Sequence, residues 1–360
     1  MKQRRNHLLE VILAIPIFLV GWYLLSGILD GNISVRHEST PVPTTYAITE
    51  MTSNFELLWT KQPFTIASPK DRDSILLTSK FDEAYVLSSN IGSIIAIDLE
   101  SGEEEFLIHE RYKAGSFPHA STMGINSSSF FIGFQSTQKI GGNMTWGAGK
   151  VKAYDRASGA LLWSQVIPGA SSISLLSVTE DTVSIGRGSG SNYYLLDAET
   201  GVIIKSDPST LVWKVQDNLV YQGSCIKGGY AFQLYNQEYS EIIWQSELIC
   251  SRPSIFTDSR IITKGGTQVI ALDISNGQNI WEHSQAYSNI AVSNGVVYFV
   301  TDKGNLFAVD IMSGDVLGNV QFTTPPDNNR YNTFQVTSSN DIVLIHTGYV
   351  GNQLFAFHFR

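Results

Sequence analysis

Along most of the chain, apolar and polar positions alternate in short runs bounded by glycine, and TQVIALDISNGQNIW (267–281) shows the pattern in full. The apolar positions of VIALD fit no single helix stripe and are rich in β-branched residues, which predicts a short strand. Asp273 and Gly277 then form a turn. The carboxylate accepts from amides just ahead of it, and glycine takes the positive φ that closes the loop without a Cβ penalty. A second strand carrying Trp281 completes a hairpin. The same unit recurs in GSIIAIDLESG (92–102), GKVKAYDRASGALLW (149–163), SNYYLLDAETG (191–201) and GNLFAVDIMSG (304–314).

The repeated turns are Asp98 with Gly102, Asp155 with Gly159, Asp197 with Gly201, Asp273 with Gly277 and Asp310 with Gly314. Successive aspartates lie 57, 42, 76 and 37 residues apart, and 76 is two periods of 38. The missing copy falls at GGYAFQLYNQEYSEIIW (228–244), where Tyr235 stands in the aspartate position. A second series of small polar turns, at Asp181, Asn218, Asp258, Gly295 and Asp341, keeps the same step. A period of about 40 residues holding several short strands predicts a β-propeller of four-stranded antiparallel blades. NQLFAFHFR (352–360) repeats the first hairpin strand once more, so residues 55–360 are expected to make seven blades of about 44 residues each.

That last unit stops short of its outer strand, whereas FELLWT (55–60) matches the outer strands ALLWS, EIIWQ and NIWEH. Residues 55–60 are therefore expected to pair with the C-terminal strand and close the ring, which removes free sheet edges. Trp59, Trp163, Trp244 and Trp281 then share one outer-strand position, where an aromatic ring packs between neighbouring blades.

The N-terminus has a different pattern. Lys2, Arg4 and Arg5 precede an uncharged run of nineteen residues, Val11 to Leu29. As a helix this run rises roughly 28 Å, about one hydrocarbon thickness. It predicts a single transmembrane helix, an uncleaved signal anchor, with residues 1–10 as a basic cytoplasmic stub and the propeller extracytoplasmic. Residues 30–54, polar and rich in Ser, Thr and Pro, read as a flexible tether.

The pattern G-x-x-x-A-x-D-x-x-[STN]-G-x-x-x-W resembles the repeat of the pyrroloquinoline-quinone (PQQ)-like propellers. These include the quinoprotein alcohol dehydrogenases and the propeller lipoprotein of the bacterial outer-membrane barrel assembly machinery. The resemblance covers about 300 residues and implies the propeller fold, of the general WD40/YVTN-like kind. It transfers no quinone site. Quinone-binding members have eight blades, a vicinal cysteine pair and an acidic calcium site, whereas Cys225 and Cys250 are this chain's two cysteines and stand far apart. No cofactor is expected. A quinone-dependent oxidoreductase is the alternative in a different functional class.

Composition narrows the partners. The chain carries −9; residues 1–29 contribute +2, leaving −11 for the exported part. An acidic domain without a basic stripe argues against nucleic acid. No metalloprotease, P-loop, nucleophile-elbow or zinc-spaced cysteine motif is present in the sequence, so neither a catalytic residue nor a metal site is assigned. The repeated aspartates read as turn caps spread around the ring rather than as a carboxylate array. Cys225 and Cys250 fall on one face of the fourth blade, roughly 10 Å apart by sheet geometry, and an exported disulfide there needs loop curvature to close.

Loops individualise a propeller. Three long connections, 60–73, 136–149 and 323–332, fall on one face and on adjacent blades, opposite the Asp–Gly turns. Lys70, Arg72, Trp146, Arg330 and Tyr331 are the candidate binding residues there, for a protein partner or, less directly, a glycan. The closing strand starts on the Asp–Gly face. The anchor is thus expected to leave on that side, with the long loops turned away from the membrane.

Overall fold

The alternating runs form strands in the computed structural model, and no helix interrupts them among the described residues. The structure describes residues 46–360 apart from 63–74, 89–92, 110–118, 136, 141–142, 147–148, 169–172, 188–192, 208–210, 217–218, 227–228, 237–240, 247–250, 324–333 and 348–352. Met1–Val42 and Pro43–Arg360 form separate units, and the description concerns the second. The expected transmembrane helix at 11–29 lies outside the described residues. Among those described, no helix is long and apolar enough to cross a membrane.

The fold is an all-β propeller. Its described strands make six four-stranded sheets, one five-stranded sheet and one two-stranded ribbon. The sheets follow the chain at 75–109, 119–167, 173–207, 211–246, 251–283, 291–322 and 335–359, numbered here 1 to 7. Strands A to D run outward in each, and neighbouring pairs are antiparallel. The A strands contact one another from sheet to sheet, and Gln335–Ser339 of sheet 7 meets Ile75–Lys80 of sheet 1. Side chains of the middle strands alternate between the two faces of each sheet and fill the spaces between sheets, as in the cluster of Tyr85, Phe130, Ile132 and Tyr154.

Phe55–Lys61 pairs with Leu354–Phe359 as the outer strand of sheet 7, in the register Phe55 to Phe359 through Lys61 to Leu354. N- and C-terminal strands therefore share one sheet, as their sequences predict.

Two expectations are corrected: residues 48–51, assigned to the tether, form a strand, and six rather than seven of the sheets are four-stranded. Ile48–Met51 is a fifth strand, antiparallel to Val316–Phe322 on the outer edge of sheet 6. It turns at Thr52–Asn54 into the closing strand, so the N-terminal arm is a hairpin straddling sheets 6 and 7. Tyr46 is buried against Phe334, and its amide donates to Gln353 Oε1 at 2.8 Å. Ala47 and Thr323 exchange hydrogen bonds: Thr323 N donates to the Ala47 carbonyl at 2.8 Å, and Ala47 N donates to Thr323 Oγ1 at 2.9 Å.

These contacts put Tyr46 and Ala47 on the other side of the sheets from the one expected for the start of the propeller. Thr323 and Gln353 lie on the face of the B–C and D–A connections, so the chain enters the domain on the long-loop face. Reading the closing strand as the first element missed the extra strand, which runs the opposite way.

Candidate functional site

The repeated polar residues are consumed by the fold. Asp98 Oδ1 accepts from the amide and hydroxyl of Ser101, both at 2.7 Å, while Gly102 N donates to the Asp98 carbonyl at 2.9 Å. Asp155 takes Ser158, Asp197 takes Thr200 and Asp273 takes Ser275 in the same way. Asp310 accepts from the Met312 and Ser313 amides. Hydroxyl donors first, then amides, hold Asp98, Asp155, Asp197 and Asp273 below the usual carboxylate range; at Asp310 the Ser313 amide leads. The carboxylates cap turns in separate sheets.

Each of the four outer-strand tryptophans bridges to the next sheet. Trp59 Nε1 donates to the Leu99 carbonyl at 2.9 Å, Trp163 to Ala198 at 3.0 Å, Trp244 to Ile274 at 3.1 Å and Trp281 to Ile311 at 3.0 Å. Every acceptor directly follows a repeat aspartate. The rings lie on the turn glycines: a Cβ added at Gly102, Gly201, Gly277 or Gly314 would meet Trp59, Trp163, Trp244 or Trp281 at 2.8, 2.6, 2.4 and 2.6 Å. At sheet 6 the tryptophan position holds Gly318, opposite Ala308 as Trp281 is opposite Ala271. Thr52 and Phe55 of the N-terminal hairpin fill the space there.

The loop-face candidates Lys70, Arg72, Arg330 and Tyr331 lie outside the described residues, as does Cys250. Trp146 falls in a strand: residues 137–140 and 143–146 form the two-stranded ribbon that replaces the expected B–C loop of sheet 2, with Trp146 opposite Thr137. Cys225 is the partner of Tyr230 within sheet 4. Among the described residues no group of three or more His, Cys, Asp or Glu side chains is placed to hold a metal ion.

The opposite face carries the departures from the repeat. In the A–B turns of sheets 6 and 7, Asn294 and Asn340 adopt positive φ, 48° and 51°. Asn294 Nδ2 donates to Asp341 Oδ1 at 2.7 Å and Asn340 Nδ2 to Asp82 Oδ1 at 2.9 Å, forming a relay from turn to turn. Sheet 1 has Phe81 at the equivalent place, with φ 58° and 44% exposure. Its carbonyl accepts from Ser339 Oγ, but its ring passes nothing onward. Lys80 Nζ lies 5.2 Å and the Arg156 guanidinium 4.8 Å from the ring centre.

Arg156 is the second departure. It follows Asp155 where the other turns have Leu99, Ala198, Ile274 and Ile311. Its guanidinium bonds Glu83 at 2.9 Å, Tyr85 Oη at 2.9 Å and the Ser127 carbonyl at 2.9 Å, locking sheet 2 to sheet 1. Burial, then the hydrogen bond to Glu83, pushes the Tyr85 hydroxyl up to about 12. Arg156 thus has a structural role, whereas Phe81 has a poor one. A bulky residue at positive φ costs on the order of 1–3 kcal/mol, and an exposed cation–π contact contributes about 0.5–1 kcal/mol. Sequence reasoning missed Phe81 because its signal, an aromatic where related turns carry asparagine, needs the turns aligned in space.

Fold and repeat define a PQQ-like β-propeller. The chain belongs to the family described as outer membrane protein assembly factor BamB, whose profile matches residues 145–359. The solved structure of BamB from Moraxella catarrhalis is similar at a TM-score of 0.50 and 14% identity, covering 79% of this chain and 84% of that one. A chain of the mitotic checkpoint complex gives 0.61 at 14% identity, with 85% and 96% covered. The WD40 propeller domain of Doa1 gives 0.57 at 12%, with 84% and 96% covered. At these identities the likeness concerns the fold alone. A comparison with curated protein sequences finds no match.

Proposed function

We propose that this protein is a non-catalytic, protein-binding propeller that serves as a scaffold in a larger assembly. The observation that carries the reading is membership of a family described as an assembly factor. The fate of the polar repeat residues supports it, since the aspartates are spent on turns and the tryptophans on sheet junctions. One structural relative is itself a chain of a multiprotein complex. The ring is read as seven-bladed, its N-terminal hairpin completing the last two blades, and the run at 11–29 as a single-pass anchor that leaves the propeller extracytoplasmic.

Solubilising the full chain from its native membrane and purifying it at low salt tests the reading. A protein partner near one-to-one stoichiometry is the expected outcome. A chain that purifies alone and gains a visible chromophore on addition of PQQ and calcium would instead place it among the oxidoreductases.

A further inference from the structure

We propose that Phe81 is the anchor through which the Asp–Gly face takes a basic protein partner, its ring seated in an apolar notch of that partner. The inference rests on the protein-binding reading and gives it a surface and a chemistry. Two adjacent departures from the repeat, Phe81 and Arg156, meet at the junction of sheets 1 and 2. Arg156 is tied to Glu83, Tyr85 and Ser127, which gives the ring a rigid base. Phe81 itself takes the left-handed backbone that related turns assign to asparagine, forgoes the relay bond those asparagines make, and leaves 44% of its surface in water. An aromatic held rigidly and half exposed at such local disadvantage has the character of an interface anchor.

Charge identifies the occupant. Asp82 and Glu83 follow Phe81 in the chain, and the two cations over its ring are balanced by carboxylates, Arg156 by Glu83 and Lys80 by Glu180, with Asp82 and Asp181 beside those pairs adding further negative charge. The repeat aspartates Asp98 and Asp155 are held below the usual carboxylate range. Among the described residues four cations of this face are paired: Lys80 lies 3.8 Å from Glu180, Arg156 2.9 Å from Glu83, Arg260 3.3 Å from Asp273, and Arg360 bonds Glu56. The exposed field around Phe81 is therefore negative, and lysine or arginine side chains of the partner complement it.

Photocrosslinking in the intact full-length protein tests this, with p-benzoylphenylalanine placed singly at position 81, at the exposed Asp181 and at Lys139 in the loop-face ribbon. The expected result is a discrete protein adduct from position 81 whose contact peptide carries net positive charge and an aliphatic residue. Its yield should fall severalfold between about 50 and about 500 mM salt. Phe81→Asn should cut the adduct formed from position 181 by roughly tenfold while leaving the thermal midpoint equal or higher, because asparagine suits the turn. A lowered midpoint in Phe81→Asn, an acidic contact peptide or a salt-insensitive adduct would overturn the proposal. An adduct from position 139 alone would move the surface to the other face and leave the protein-binding reading standing; no adduct from any position would remove that reading as well.

Discussion

At four junctions a tryptophan of one sheet and a glycine of the next press against each other so closely that neither position tolerates much change. Gly277 sits at φ 72°, and a Cβ there would lie 2.4 Å from Trp244 Cε3. Gly277→Ala therefore combines backbone strain with a clash and should destabilise by roughly 2–4 kcal/mol in denaturant melts. Trp281→Phe loses an indole hydrogen bond and part of a buried ring, and should cost about 1–3 kcal/mol. The glycine and the aspartate were legible in the sequence as turn residues, because turn chemistry is local. The reason glycine is needed twice over, for its φ and for the neighbouring ring, was not, since the ring comes from another sheet.

The turn aspartates set the acid response. Their carboxyls are held below the ordinary range in the folded state, so their contribution is present above the unfolded value of about 3.9 and is lost as pH falls through the folded values. Stability should drop on acidification below about pH 4. Asp273→Asn should lower stability at neutral pH and show a shallower loss on acidification, measured as the thermal midpoint from pH 7 downward. An unchanged acid limb would show that Asp273 takes no part in it.

Among the elements, the N-terminal hairpin does most to complete the ring. Its closing strand was readable from FELLWT because it shares the outer-strand pattern. Ile48–Met51 was not, because four residues are too few to show a period and the neighbouring Ser, Thr and Pro residues read as a tether. The clue lay elsewhere, in Gly318: where other outer strands carry tryptophan, sheet 6 leaves a space for Thr52 and Phe55. Shortening the chain to begin at Phe55 should thus take Thr52 out of that space, strip the fifth strand from sheet 6 and lower the midpoint by several degrees, at about 2–4 °C per kcal/mol lost. Tyr46 offers a finer probe. Burial pushes its hydroxyl up to about 12, and that oxygen has no hydrogen-bond partner among the described residues. Tyr46→Phe removes a buried, unsatisfied group and should stabilise by about 1 kcal/mol, whereas Tyr46→Ala should destabilise.

At the scale of the molecule, the repeat describes the fold and its exceptions mark the surface proposed to bind. The order of sheets follows from a period, which any stretch of chain displays by itself. Which face meets a partner depends on where the chain enters and where turns diverge from one another, and both are relations between distant segments. The bond from Tyr46 to Gln353, 307 residues apart, shows where the described chain begins, and the contrast of Phe81 with Asn294 and Asn340 shows where the turns diverge.

One paired measurement tests that division directly: the thermal midpoint, and the partner adduct from position 181, compared between Trp281→Phe and Phe81→Asn in the full-length protein. Trp281→Phe should melt earlier yet form the adduct normally below its midpoint, and Phe81→Asn should melt no earlier yet lose roughly nine-tenths of the adduct. The opposite pattern, an earlier melt for Phe81→Asn with its adduct intact, would contradict the account.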